Sequence, residues 1–130
     1  MGQSKPYRST ALIVEDDPMQ REMIALLLEE SDYDVFQCES AEAAERLLDQ
    51  YSNSLALLLT DVNLAGQMSG VELAHIARQR NPNLDVVVTS GRRLSQPLPE
   101  GVKFWPKPWA ALDVLREAKW AQEHEQGGPH

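Results

Sequence analysis

A chain of 130 residues, 42% hydrophobic and 25% charged, suits one globular domain closed around a single core. Its formal charge of −8 opposes the phosphate-backbone attraction that draws proteins to nucleic acids, so no direct nucleic-acid partner is expected. The longest nearly unbroken apolar run, Leu55 to Leu59, is too short to cross a bilayer, and the polar stretch Met1 to Thr10 lacks a secretory signal. With a lone cysteine, Cys38, the expectation is a cytoplasmic protein with no membrane partner and no disulfide framework.

Short apolar runs alternate with amphipathic stretches along the chain. Residues 1–9 are expected to be a flexible N-terminus. Ala11 to Val14 is apolar and ends abruptly in Glu15-Asp16-Asp17, the pattern of a buried strand. Asp17 suits a helix N-cap, Pro18 the first helical position and Gln20 the reciprocal capping position. Met19, Met23, Ile24, Leu27 and Leu28 then recur at helical spacing. Tyr33 to Cys38 alternates loosely as a second strand, and Ser40 caps a second helix through Ala41, Ala44, Leu47, Leu48 and Tyr51.

Leu55 to Thr60 is a third strand, apolar on both faces, ending on Asp61. A loop containing Gly66 and Gly70 leads to a third helix that Asn81-Pro82 stops. Leu84 to Thr89 is a fourth, valine-rich strand. The segment Ser90 to Gly101 holds two glycines and the prolines Pro97 and Pro99, so a loop or a single turn is expected there rather than a full helix. Val102 to Trp105 is a fifth strand, followed by Pro106-Lys107-Pro108. A last helix runs from about Trp109 to Glu123, and residues 124–130 form a flexible tail. Strands alternating with helices imply an α/β doubly wound parallel sheet with helices on both faces.

In open parallel sheets the ligand site lies outside the carboxyl ends of the strands. Those ends deliver Glu15, Asp16 and Asp17, then Asp61, then Thr89 and Ser90, and finally Lys107. Four carboxylates at one mouth repel one another unless a cation sits among them. A hard divalent ion such as Mg²⁺ answers that need, and it typically takes one or two carboxylates plus water and phosphate oxygens. This is the equipment for phosphoryl transfer to a carboxylate. Asp61 is the candidate nucleophile. Asp16 is the leading metal ligand, Glu15 a ligand through water, and the Asn63 backbone carbonyl a further one, with Asp61 itself completing the set. Thr89 and Lys107 are placed to contact phosphoryl oxygens. Asp17 reads as a cap rather than a ligand.

The segments LIVEDDP, LLLTDVNLAGQMSG, VVVTSG and FWPKPW resemble, in order, the motifs of response-regulator receiver domains of two-component signalling, and the resemblance covers residues 10–123. It implies a five-stranded, flavodoxin-like sheet of order 2-1-3-4-5. It also implies Mg²⁺ and a phosphoryl donor that is a sensor histidine kinase or a phosphotransfer protein. Such a protein is not an enzyme; it assists only its own phosphorylation and dephosphorylation. By position the acidic pair is Glu15 and Asp16, the acceptor Asp61, the switch hydroxyl Thr89 and the family lysine Lys107. Phe104 stands where the family often carries a rotating aromatic, though without a hydroxyl.

Two departures stand out. Asp61 to Gly70 is one position longer than the commonest form, and the fourth-helix region is short or absent. The expectation is a stand-alone receiver, a monomer or weak dimer, acting on an unknown output protein. Gly127-Gly128-Pro129 would also suit the start of a linker in a longer chain.

Three rival functions share this fold or its residues. A haloacid-dehalogenase-type phosphatase would carry an aspartate where Asn63 stands. A flavin or nucleotide binder would need a Gly- or Ser/Thr-rich cradle after the first strand, where Glu15-Asp16-Asp17 would repel a phosphate lacking a metal. A degenerate receiver that binds partners without phosphorylation is favoured only by the shortened fourth-helix region. Elsewhere, Arg92 and Arg93 read as a solvated pair, His75 as a surface histidine, Trp120 as a packing residue and Cys38 as a small buried one.

Overall fold

Five parallel strands form one sheet in the order β2-β1-β3-β4-β5. They are β1 (Ser9–Val14), β2 (Tyr33–Cys38), β3 (Leu55–Asp61), β4 (Asp85–Ser90) and β5 (Lys103–Pro106). Three α-helices connect them, α1 (Pro18–Glu30), α2 (Ala41–Tyr51) and α3 (Gly70–Arg80), and a fourth, α4 (Ala111–Glu123), follows β5. The computed structural model describes residues 8–125. Most of the termini expected to be flexible therefore lies outside the described residues, while β1 starts at Ser9, two residues before the apolar run.

The pleat sorts the strand residues into two cores. Leu12, Val14, Leu58, Val86 and Val88 face α2 and α3, against Ala44, Leu48, Leu73 and Ala77. Ala11, Ile13, Leu57, Leu59 and Val87 face α1 and α4, against Ile24, Leu28, Val114 and Ala118. The central strands are apolar on both faces because helices cover both. Burying each large aliphatic side chain in these layers contributes about 1.5–3 kcal/mol.

The caps expected for the first two helices are present. Asp17 Oδ1 accepts from the Met19 and Gln20 amides, and Ser40 Oγ from Ala43 N–H. Ser69 and Glu72 form a capping box on α3. The last helix begins at Ala111 rather than near Trp109, after Asp113 has accepted a hydrogen bond from Ala110 N–H.

Residues 91–102 contain bends and turns but no helix, as Pro97, Pro99 and the left-handed Gly101 (φ +86°) dictate. The space a helix would fill on the sheet is covered instead by Leu98 and Val102, which pack with Ile76 and Phe104 against the α2/α3 core. Exposed His75 lies 3.3 Å from the Pro97 carbonyl.

At the opposite end of the sheet from the acidic strand ends, Asp85 opens β4 with only 5% of its side chain exposed. Lys103 Nζ lies 3.6 Å from its Oδ1 and also binds Glu117 of α4. The Lys103 ammonium rests 3.7 Å from the ring centroid of Trp120. Asp85 Oδ2 is buried with no hydrogen-bond partner. Burial, then the hydrogen bond and charge of Glu117, push the Asp85 carboxyl up from 3.8 to about 8, against the pull of Lys103. Folded Asp85 thus keeps a proton that the unfolded chain releases. Its contribution to stability is full below pH 3.8 and is lost as pH rises towards about 8. Asp85→Asn is expected to flatten this slope and to stabilise the fold by about 1–3 kcal/mol at the alkaline end. Urea unfolding of both proteins at about pH 5 and about pH 8 checks it, and an unchanged pH slope would contradict the protonated Asp85.

Candidate functional site

The carboxyl ends of β1 and β3 bring Glu15, Asp16 and Asp61 together, with one oxygen from each within 4.8 Å of the others. Local sequence places each of them. Glu15 follows β1 directly and is 3% exposed, and Asp61 is the last residue of β3 at 8%. Asp16 stands one step further out and is exposed. Glu15 is held by three main-chain contacts. Its N–H donates to the Cys38 carbonyl at 3.0 Å. Its Oε2 accepts from Asp17 N–H at 3.1 Å, and its carbonyl accepts from Arg21 at 2.8 Å.

Lys107 reaches this cluster from beyond β5. Its main-chain N–H donates to the Ser90 carbonyl at 2.8 Å, which seats the residue at the mouth. Its ammonium then donates to Asp61 Oδ2 at 2.9 Å, Gln20 Oε1 at 3.1 Å and Glu15 Oε1 at 3.5 Å. The other Asp61 oxygen accepts from Val62 N–H at 2.7 Å. Burial and the charge of Asp61 raise the Glu15 carboxyl above its usual range, against the Asp17 N–H and Lys107. Burial pulls the Lys107 ammonium down, but the Asp61 hydrogen bond and charge, with those of Glu15, outweigh it and the net shift is upward.

Three carboxylates against one ammonium leave an excess of two formal negative charges (three minus one). The donors are all oxygen. That combination fits a hard divalent cation, and Glu15, Asp16 and Asp61 are the residues that would hold it.

Thr89 is 1% exposed and lies in register with Asp61 on the adjacent strand. Its carbonyl accepts from Val62 N–H at 3.0 Å. Phe104 pairs with Val88 and is partly buried in the α2/α3 core. Asn63 is exposed in the loop after β3. Together with Ser69, Ser90, Arg92 and Arg93 it lines a groove of about 410 Å³. Asp17 caps α1 and is absent from the carboxylate cluster. Arg92 and Arg93 are exposed, Cys38 is buried and free, and Trp120 is 42% exposed.

Two residues of the site escaped the reading of the sequence. Gln20 reads in the sequence as a capping residue; it does bind Asp17, but it also accepts from Lys107. Its position at the third residue of a helix that starts at the acidic mouth is the signal that would have found it. Arg21, one residue on, locks the Glu15 carbonyl. Among the described residues no helix is long and apolar enough to cross a membrane.

Comparison with known proteins gives a consistent family. The response regulator receiver domain model matches residues 11–104. The chain is 30% identical over 112 residues to the response regulator receiver protein CpdR of Brucella abortus, covering 82% of this chain and 90% of that one. It is 29% identical over 93 residues to the transcriptional regulatory protein ComA of Bacillus subtilis. That match covers 71% of this chain and 44% of ComA, so the chain spans less than half the length of that relative. Among solved structures, the receiver domain of the hybrid histidine kinase CckA superposes with a TM-score of 0.75 at 27% identity, over 87% of this chain and 98% of that one.

Proposed function

This chain belongs to the response regulator receiver domain family of two-component systems, and on that premise we propose that Asp61 is its phosphoacceptor, working with Mg²⁺ held by Glu15, Asp16, Asp61 and the Asn63 carbonyl. The observation that carries the reading is the Lys107 ammonium bound to Asp61 within a pocket of three carboxylates. A sensor histidine kinase or a phosphotransfer protein is the donor. The P–N bond of its phosphohistidine breaks as a P–O bond to the Asp61 carboxylate forms, and the imidazole leaves. The chain's role is transfer and signalling rather than turnover of a substrate, and a cytoplasmic setting belongs to this reading.

Bound Mg²⁺ supplies charge neutralisation for the phosphoryl oxygens and the carboxylates. The chain's own residues do the remainder. Val62 N–H fixes one Asp61 oxygen and so orients the carboxylate. Lys107 moves its hydrogen bond from Asp61 to the arriving phosphoryl group, a charge-assisted donor that needs no reorganisation of the chain. Thr89, one strand away, offers its hydroxyl to the same group, and the pull on it biases the loops after β3 and β4, with Phe104 following. The exposed Met23, beside Lys107, Pro108 and Trp109, gives the donor an apolar rim to dock against.

Incubation with MgCl₂ and acetyl phosphate, followed by intact-mass measurement, tests the assignment. One phosphoryl group per chain, lost on chelation of the metal before the donor is added, is the expected result. An unlabelled wild type under donor excess would favour phosphorylation-independent binding, the reading that the helix-free segment 91–102 supports.

A further inference from the structure

The loop from Val62 to Ser69 joins the acceptor strand to α3 and carries Asn63. Its ends are fixed by neighbouring groups: Val62 N–H donates to the Thr89 carbonyl and to Asp61 Oδ1, and Gly70 N–H donates to the Val62 carbonyl at 2.9 Å. Gly70 is obligatory here, since a Cβ on it would stand 1.9 Å from the Asp61 carbonyl oxygen. The middle of the loop is fastened to a different element, the N-terminus of α2. Ala65 forms a single parallel bridge with Ser40. Glu42, in the first turn of α2, does the rest.

Glu42 Oε2 accepts from Gln67 N–H at 3.0 Å and from Met68 N–H at 2.9 Å. Its Oε1 is buried with no hydrogen-bond partner, and it lies 2.5 Å from where a Cβ on Gly66 would stand. Gly66 has φ +89°, so the loop turns around the carboxylate in a conformation that glycine tolerates and other residues resist. A glutamate serving only the helix dipole would leave both oxygens in water. This one gives up hydration of one oxygen, and two loop amides are bound in exchange.

We propose that Glu42 is a positioning residue: from α2 it clamps the loop that follows Asp61 and thereby sets the Mg²⁺ affinity of a centre it does not touch. The inference rests on the reading of Glu15, Asp16, Asp61 and the Asn63 carbonyl as the Mg²⁺ site. Asn63 lies between two fixed points, Val62 and Ala65; beyond them Glu42 binds the Gln67 and Met68 amides, and Ser69 is tied to Glu72 of α3. Releasing Gln67 and Met68 lets the loop sample many conformations, and a carbonyl ligand in it must then be ordered at each binding event.

Titration calorimetry with MgCl₂ and labelling by acetyl phosphate test this on the whole chain. Glu42→Ala is expected to bind Mg²⁺ roughly tenfold more weakly. Its labelling falls at limiting Mg²⁺ and recovers at saturating Mg²⁺. Glu42→Gln keeps a carbonyl oxygen for the Gln67 and Met68 amides and stays close to wild type. A lowered Tm for Glu42→Ala with unchanged Mg²⁺ affinity would reduce Glu42 to a structural clamp and overturn the proposal. Should that variant fail to fold, Gly66→Ala, which drives a methyl group against the same carboxylate, carries the test with the same expected loss and the same overturning result. Wild type that binds no Mg²⁺ would bring down the site assignment itself, whereas wild type that binds it beside an unaltered Glu42→Ala brings down the clamp alone.

Discussion

Asp61→Asn is expected to accept no phosphoryl group from acetyl phosphate, while folding as wild type does. The substitution is nearly isosteric, and the amide oxygen can still accept from Val62 N–H, which now binds Asp61 Oδ1 at 2.7 Å. What disappears is the anionic oxygen facing Lys107 at 2.9 Å, and with it the nucleophile. The amide nitrogen would face the ammonium donor to donor, so Lys107 withdraws to Glu15 and Gln20, its other two partners. Mg²⁺ affinity falls too, because one of three carboxylates is lost from the cluster. Removing the Asp61 charge also relieves Glu15, whose carboxyl that charge helps to raise, so stability changes by no more than about 1 kcal/mol. Intact mass and thermal unfolding measure both effects. Equal labelling of variant and wild type would place the acceptor elsewhere.

Lys107→Met is expected to separate metal binding from phosphoryl transfer, moving the two in opposite directions. Methionine keeps the length of the stem and removes the charge. Without the ammonium, Asp61 and Glu15 lose their shared cation, and the negative field at the mouth deepens. A divalent ion then competes with no fixed positive charge, and its affinity rises about three- to tenfold. Transfer suffers because the donor aimed at the phosphoryl oxygens is gone; loss of one such preorganised donor slows reactions by about 10²–10³-fold. Calorimetry with MgCl₂ and the initial rate of labelling give the two numbers. A variant that loses Mg²⁺ affinity along with rate would show that Lys107 holds the carboxylates in place rather than acting on the incoming group.

The gathering of carboxylates at the mouth was legible because its signal is local. An apolar run that stops on Glu15, and another that stops on Asp61, each announce a strand end with a carboxylate on it. The parallel-sheet rule then gathers those ends without any knowledge of distances. The caps of α1 and α2 are equally local, written in Asp17 and Ser40. The absence of a helix after β4 followed from Pro97, Pro99 and Gly101, residues whose backbone preferences hold in any context.

Other features depend on contacts between residues far apart in the chain. Gln20 looked like a capping residue, and only the approach of Lys107, 87 positions away, makes it part of the site. Nothing in the sequence sets Glu42 apart from any acid in a first helical turn; its role comes from the Gln67 and Met68 amides that the loop after β3 brings to it. Asp85 opens an apolar strand; its raised carboxyl arises because β4, β5 and α4 bring Glu117 and Lys103 beside it.

The order of strands and helices, the caps, and which charged residues stand at the strand ends are readable along the chain, since each is set by neighbours within a turn or two. What each charge meets there depends on how distant segments pack. Parallel register and helix packing fix those partners, and a change of a few ångströms decides whether a carboxylate is solvated, paired with Lys107 or wedged against a glycine.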